Sequence, residues 1–347
     1  MKRMLGFAWL LAALVVLPAA AEVRVTPLFG DNMVVQREEP IAVWGTAAAG
    51  ETVTVKLGTS QAGVTADEQG KWSLSLPELK AGGPHELTIQ GKGNSLTFKN
   101  VFVGEVWICS GQSNMEWSVK MSNDADKEIA EANYPNIRLF TVKKTVAGKP
   151  QSGLEGSWSE CSPESIPTFS AVGYFFGREL HKELGVPIGL INSSWGGTPA
   201  EAWTERPFLE KDPMLIPIVE KWDKNVLGLI EQLNNYGQQL LTWRATSNFA
   251  EAAGNPVPEP PKFPDDPRRS PHRASGLFNG MIAPLVPYSV RGAIWYQGES
   301  NAGRAYQYRT LFPAMIQSWR AAFKQEDLSF HFVQLANFTE VLPEPAE

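Results

Sequence analysis

VFVGEVWICSGQSNMEW, residues Val101 to Trp117, decides how the rest of the chain is read. It opens with Val101-Phe102-Val103 and continues through Val106-Trp107-Ile108-Cys109, a run rich in β-branched and aromatic residues. Such a run suits a strand buried on both faces, as in a parallel sheet covered by helices. Five small or polar residues follow at once, Ser110-Gly111-Gln112-Ser113-Asn114. A buried strand that stops so abruptly can present a serine hydroxyl at the carboxyl edge of the sheet, where open α/β sheets bind their ligands. The same residues also fit a plain strand-to-loop exit, because Gly and Ser are common in turns. The surrounding chain weighs toward the first reading.

Upstream, short alternating or β-rich runs recur: Ile41-Ala42-Val43-Trp44, Thr52-Val53-Thr54-Val55, Trp72 to Leu76 and Glu86 to Ile89. Gly-rich turns such as Gly82-Gly83-Pro84 and Gly91-Lys92-Gly93 separate them. This pattern predicts a small Ig-like β-sandwich over 22–100, with no catalytic constellation in it. Downstream, strands and helices alternate. A strand is expected from Asn136 to Thr141, and a loop from Gly156 to Pro167. A helix then opens at Ser170 as N-cap and stops at Gly185. Strand Val186 to Asn192 follows, ending in Ser193 to Pro199. Further on are strand Gly292 to Tyr296, a helix from about Tyr306 to Phe323 and a last strand Phe330 to Leu335. This is the α/β rhythm of a parallel sheet flanked by helices over 101–347. About 205–273 interrupts it as an insertion. It is helical to Phe249, with an apolar stripe of Ile218, Trp222, Val226, Leu229, Ile230, Leu233 and Leu240. It then runs extended from Gly254 to Arg273, where seven prolines exclude a helix.

At 347 residues the chain has room for two domains. The formal net charge of -6 comes with no Lys/Arg cluster, so no nucleic-acid partner is expected. His85, His181, His272 and His331 share no ligand spacing, so neither a metal nor another cofactor is expected. Lys2-Arg3, the apolar run Leu5 to Leu17 and Ala19-Ala20-Ala21 read as a signal peptide over 1–21, leaving Glu22 as the mature amino terminus. The expected location is periplasmic or secreted, with no membrane anchor after cleavage. In such a compartment Cys109 and Cys161 can bridge. Cys109 also fits a buried free thiol, and the pairing stays open.

Three strands thus end in short loops rich in Gly, Ser, Asn and Gln: at Ser113, at Gly196-Gly197 and at Gln297-Gly298-Glu299. Acyl transfer needs a nucleophile together with preorganised N–H donors for the oxyanion. GQSNMEW at Gly111 to Trp117, NSSWGGTPAEAW at Asn192 to Trp203, GLFNGMIAPLVPY at Gly276 to Tyr288 and WYQGESNA at Trp295 to Ala302 resemble the sialate O-acetylesterase family. That family belongs to the SGNH, or GDSL-like, hydrolase superfamily. The resemblance runs from about Val23 onward and implies an SGNH-like parallel sheet behind the sandwich. It makes Ser113 the nucleophile and its own N–H one oxyanion donor. Gly197, or less fittingly Gly196, would be the second donor, and Gln297 a side-chain donor. Gln112 and Asn114 would shape the turn or touch the acetyl group. Glu299 would order its loop rather than act as the triad acid, and Asn301 joins these residues around the substrate.

The resemblance implies an esterase that removes O-acetyl groups from carbohydrates, sialic acids foremost, with an O-acetylated sugar or glycan as partner. An acetylxylan-type polysaccharide esterase is the near alternative. The superfamily takes its base from an Asp-x-x-His segment toward the carboxyl end, and none of the four histidines stands in one. His331 lies in an alternating strand and His272 among prolines. Without a base serine is a poor nucleophile. The expectation is therefore of a fragment lacking its last sheet elements, a weak catalyst as written. A non-catalytic carbohydrate-binding chain is the reading from another class.

Overall fold

The computed structural model describes residues 22–336. The signal-peptide expectation over 1–21 lies outside the described residues. The chain first lays down β1 (Val34–Gln36), β2 (Ile41–Thr46), β3 (Thr52–Leu57), β4 (Ser60–Thr65), β5 (Lys71–Leu76), β6 (Gly82–Gln90) and β7 (Ser95–Gly111). Strands β4-β3-β6-β7 form one antiparallel sheet, and β2 pairs with β5 in a second. Their inward residues, among them Val43, Trp72, Val53, Val55 and Leu87, bury into one core. This is the expected sandwich.

β7 is the hinge of the architecture. Its first six residues alternate between exposed and half-buried, as in a strand with one wet face, and from Val101 to Gly111 every residue is buried. The expected boundary at residue 100 is thus a change of burial within one continuous strand. The sandwich half pairs with β6 and the buried half enters a second, mostly parallel sheet.

That sheet gathers α1 (Ser113–Glu116), α2 (Ala125–Ala130), β8 (Tyr134–Thr141), β9 (Trp158–Cys161), α3 (Ala171–Leu184) and β10 (Ile188–Ser194). After the insertion, β11 (Gly292–Tyr296), α7 (Ala305–Phe323) and β12 (Ser329–Phe332) complete the described chain. The order is β9-β8-β10-β7-β11-β12, all parallel except β9. Ser170 caps α3 by accepting the Gly173 N–H at 3.0 Å, and Gly185 closes it. The expected loop from Gly156 to Pro167 is corrected. Trp158 to Cys161 forms an antiparallel edge strand, pinned by the Trp158 Nε1–H donating to the Leu28 carbonyl at 2.9 Å.

Cys109 on β7 and Cys161 on β9 are both free thiols, buried in one cluster. β10 and β8 lie between their strands. Three inter-strand spacings of about 4.8 Å put them far beyond the roughly 7 Å a disulfide tolerates. The bridging alternative is thereby excluded, and burial pushes the Cys161 thiol up to about 12.

The insertion holds α4 (Arg206–Glu210), α5 (Ile216–Leu227) and α6 (Leu229–Ala252). Its expected apolar stripe is only partly covered. Ile218 and Leu229 are buried, but Ile230, Leu233 and Leu240 stay exposed. The proline-rich return folds back on α6 at two points, through the Trp243 Nε1–H to Pro258 carbonyl bond at 2.8 Å and a Tyr236–Phe263 edge contact. The rest of that face has no cover among the described residues.

Glu105, in the buried half of β7, clamps the sheet to its flanks. Arg291, just before β11, donates to it through Nε and Nη2 at 2.8 and 3.1 Å, and Arg37 of the sandwich donates at 2.5 Å. Burial works to raise its pKa, but the bonds from Arg291 and Arg37 outweigh burial and hold it below the usual carboxylate range. A depressed carboxylate stabilises the fold above its unfolded pKa of about 4.3, and that stability is lost as pH falls through the folded pKa. Denaturation titrations should therefore show the wild type losing stability below pH of about 4, with part of that acid dependence gone in Glu105→Gln. Identical pH profiles would refute the clamp.

Candidate active site

Three parallel neighbours end level with one another. Gly111 of β7 pairs with Ser194 of β10 on one side and Tyr296 of β11 on the other. The Trp195 N–H donates to the Gly111 carbonyl at 3.0 Å, and the Gln112 N–H donates to the Tyr296 carbonyl at 2.9 Å. The loops at Ser113, Gly196-Gly197 and Gln297-Gly298-Glu299 therefore leave the sheet from the same edge. Hydrogen bonds then bind them together. Gln112 Oε1 accepts from the Ser300 N–H at 3.3 Å, and Asn114 Nδ2 donates to Glu299 Oε1 at 2.8 Å.

Ser113 is the first residue of α1 and is exposed. Its N–H, like that of any residue opening a helix, has no intrahelical partner. Ser113 lines a cavity of about 740 Å³ with Glu116, Trp117, Asn192, Ser194 and Lys144. Asn192 and Ser194 line the serine cavity although the sequence alone assigns them no role. They stand two apart on β10, so they share one face, and Ser194 Oγ donates to Asn192 Oδ1 at 2.7 Å. That period-two spacing next to the glycine pair was the signal that could have found them.

A Cβ placed on Gly196 would sit 3.6 Å from the Cα of Ser113, so the glycine turn lies directly against the serine. Gly197 is exposed, with φ +74°, in the left-handed region that suits glycine, and its N–H donates to nothing among the described residues. The Gly196 N–H is already spent on Glu116 Oε2 at 2.6 Å. That leaves Gly197, of the two, with a donor to offer. Glu116 in turn pairs with Lys144, whose ammonium lies 5.3 Å from the centre of the Trp195 ring. One carboxylate thus ties the helix that carries Ser113 to the turn that carries Gly197.

Gln297 does not serve as the expected side-chain donor in this arrangement. It is buried, and its Nε2 donates to the Thr198 carbonyl at 3.2 Å and to Asn301 Oδ1 at 2.7 Å, which consumes both N–H groups. Its Oε1 accepts from the Tyr308 hydroxyl at 3.0 Å. Gln297 braces the glycine loop against the segment after β11, and Asn301 extends the brace by accepting the Ala200 N–H at 2.9 Å. A buried amide between two loops finds backbone partners readily, which the motif alone does not reveal. Among the described residues no histidine lines the Ser113 cavity. His272 opens on a neighbouring cavity with Gly197 and Ser300, and His331 is exposed on β12 against Trp107.

The role of Glu116 can be tested by separating kcat from KM. Glu116→Ala should lower kcat by about 10- to 100-fold through misplacement of the glycine turn, with KM little changed, whereas Glu116→Gln, which can still accept the Gly196 N–H, should recover most of it. Equal loss in both variants would count against a positioning role.

The chain is similar to known proteins. The family model described as carbohydrate esterase, sialic acid-specific acetylesterase matches residues 103–232 and 274–345. The gap between the two matched stretches, 233–273, falls within the insertion. Sialate O-acetylesterase of Rattus norvegicus is 34% identical over 337 residues, covering 89% of this chain and 59% of that protein. The Homo sapiens sialate O-acetylesterase is 32% identical over 321 residues, covering 86% of this chain and 53% of that protein. The crystal structure of a carbohydrate acetylesterase from Xanthomonas citri superposes with a TM-score of 0.72 at 34% identity, covering 91% of this chain and 61% of that one. The chain thus spans little more than half the length of the curated relatives it matches. Among the described residues no helix is long and apolar enough to cross a membrane.

Proposed function

The chain belongs to the carbohydrate esterase family of sialic acid-specific acetylesterases, and on that footing we propose that its residues supply the nucleophile and oxyanion donors of an enzyme that removes O-acetyl groups from carbohydrates, sialic acids foremost. The observation that carries this reading is the level ending of β10, β7 and β11, which sets exposed Ser113 against a glycine turn with an unspent N–H. In the proposed reaction Ser113 Oγ attacks the acetyl carbonyl and gives up its proton to a base. The carbonyl π pair moves onto oxygen, and the N–H groups of Ser113 and Gly197 hold that oxyanion. Collapse breaks the ester C–O bond, and the sugar oxygen leaves with a proton as the free hydroxyl. Water then hydrolyses the acetyl-serine to acetate. Glu299 orders the Ser113 loop by accepting from Asn114 Nδ2 through its Oε1.

The test is acetate release from O-acetylated sialic acid and from acetylated xylo-oligosaccharides, with and without Ser113. Ser113-dependent release favouring the sialic acid is the expected result. Preference for xylan would move the substrate to a polysaccharide, and glycan binding with no Ser113-dependent release would make the chain a binder.

A further inference from the structure

We infer that the cavity lined by Gly197 and Ser300 is the subsite for a sugar carboxylate, with Lys221 as its cation and the His272 imidazole beside it. The inference rests on the esterase reading above, because it takes the sugar to reach Ser113 past Gly197. The cavity measures about 350 Å³, near the lower end of ligand pockets and of a size to take one monosaccharide. Gly197 and Ser300 line it, one from each loop that flanks the nucleophile.

The charges in this cavity sort into spent and unspent. Glu201 is 5% exposed at its side chain and is fully engaged. Its Oε1 accepts from Arg304 Nη2 at 2.6 Å and its Oε2 accepts from Asn301 Nδ2 at 2.9 Å. Arg304 spends its Nη1 on Gln307 Oε1 at 2.8 Å. Glu201 and Arg304 neutralise each other's charge. Lys221 and the imidazole of His272, by contrast, have no side-chain hydrogen bond or ion pair among the described residues, yet both face the same cavity.

Their origin in the chain is informative. Lys221 comes from α5 and His272 from the end of the proline-rich return, so the two ends of the insertion converge on this one point. Trp222, next to Lys221, is half-buried and adds an aromatic face to the same wall. An unpaired ammonium, an imidazole and an indole around a monosaccharide-sized space match a pyranose bearing a carboxylate. Opposite charges attract more strongly in a partly desolvated cleft than in bulk water. A neutral xylosyl unit would leave the Lys221 ammonium with no charge to answer. The insertion would thus select the acidic sugar while the sheet edge performs the chemistry.

The probes are N-acetylneuraminic acid and its methyl ester, the same sugar with its charge masked. Equilibrium binding is measured by calorimetry or ligand-observed NMR, so the readout does not depend on turnover. The wild-type protein should prefer the acid over the ester by about 10-fold or more. Lys221→Met should bring that ratio close to one, Lys221→Glu should reverse it, and Ser113→Ala should leave it intact. Lys221 is exposed on its helix, so both variants should fold, which circular dichroism would check. Equal binding of acid and ester by the wild type, no binding of either, or a preference that survives both Lys221→Met and the Lys221→Met/His272→Asn double variant would each overturn the subsite. The esterase reading fails separately, if hydrolysis persists in Ser113→Ala whatever the sugar binding shows.

Discussion

Where a general base is available to Ser113, replacing this serine by alanine is expected to lower kcat for acetate release by about 10⁴- to 10⁶-fold, the scale on which serine hydrolases lose activity when the nucleophile is removed. Without that base the loss should be far smaller, because losses of triad members do not add. The loss should fall on kcat, since the side chain removed is small, exposed and without a hydrogen bond among the described residues. For the same reason the variant should fold, with an unchanged denaturation midpoint. Ser113 N–H and Gly197 N–H are backbone groups and survive the substitution, so a residual rate above that of water should remain, carried by the oxyanion donors and by binding. The other serines of the cavity are less free, since the Oγ of Ser118 is buried and that of Ser194 donates to Asn192 Oδ1. Ser110 is fully buried and does not line the cavity. Activity unchanged in Ser113→Ala would place the nucleophile elsewhere and undo the assignment of this edge as the reaction centre.

What could be read in advance followed from how each element gains its stability. Val101 to Cys109 could be recognised as a doubly buried strand because continuous burial demands continuous apolar character, and the burial of β7 changes at Val101. α3 could be recognised because Ser170 and Gly185 mark its ends chemically. Trp158 to Cys161 escaped because its four residues, Trp-Ser-Glu-Cys, have no pattern of their own. The strand exists through its antiparallel pairing with β8 and the Trp158 bond to Leu28, which are long-range facts. Over α6 the apolar stripe was real in sequence, but periodicity reports which residues share a face and not whether anything covers that face.

At the site, the meeting of the Ser113 loop with the glycine pair was legible because neighbouring strands of one parallel sheet end alike in Gly- and Ser-rich loops. The duties of the polar side chains were not. Gln297 and Glu116 are both short-range neighbours of a motif, yet their partners, Thr198 and Asn301 for one and Gly196 and Lys144 for the other, are set by how loops distant in sequence meet. No spacing rule distinguishes a donor aimed at substrate from one spent on a brace. Lys221 and His272 were equally opaque, since they meet only because an excursion of some fifty residues returns to its starting point.

The stability of that edge depends most on Gly111. Its φ is +140°, and a Cβ there would lie 2.2 Å from the Tyr296 carbonyl oxygen and 2.7 Å from the carbon. Those are backbone atoms of the strand paired with Gly111, held by the Gln112 N–H to Tyr296 carbonyl bond, so no side chain can rotate away to make room. Gly111→Ala must therefore either prise β11 from β7 or twist the last residues of β7. Overpacking a dense interior costs about 1–3 kcal/mol, and forcing a β-carbon into this backbone region adds about 1–2 kcal/mol. The expected destabilisation of about 3–5 kcal/mol is a large share of the 5–15 kcal/mol typical of a whole domain. Denaturant unfolding should show a sharply lowered midpoint, and the folded fraction that remains should also lose activity, because Ser113 stands two residues beyond the disturbed pair. Gly197→Ala is the control. It too has positive φ, but a Cβ there meets nothing within 4 Å, so only the backbone penalty of about 1–2 kcal/mol applies. If the two variants prove equally stable, the close approach of β11 to Gly111 is not what holds the three strand ends level.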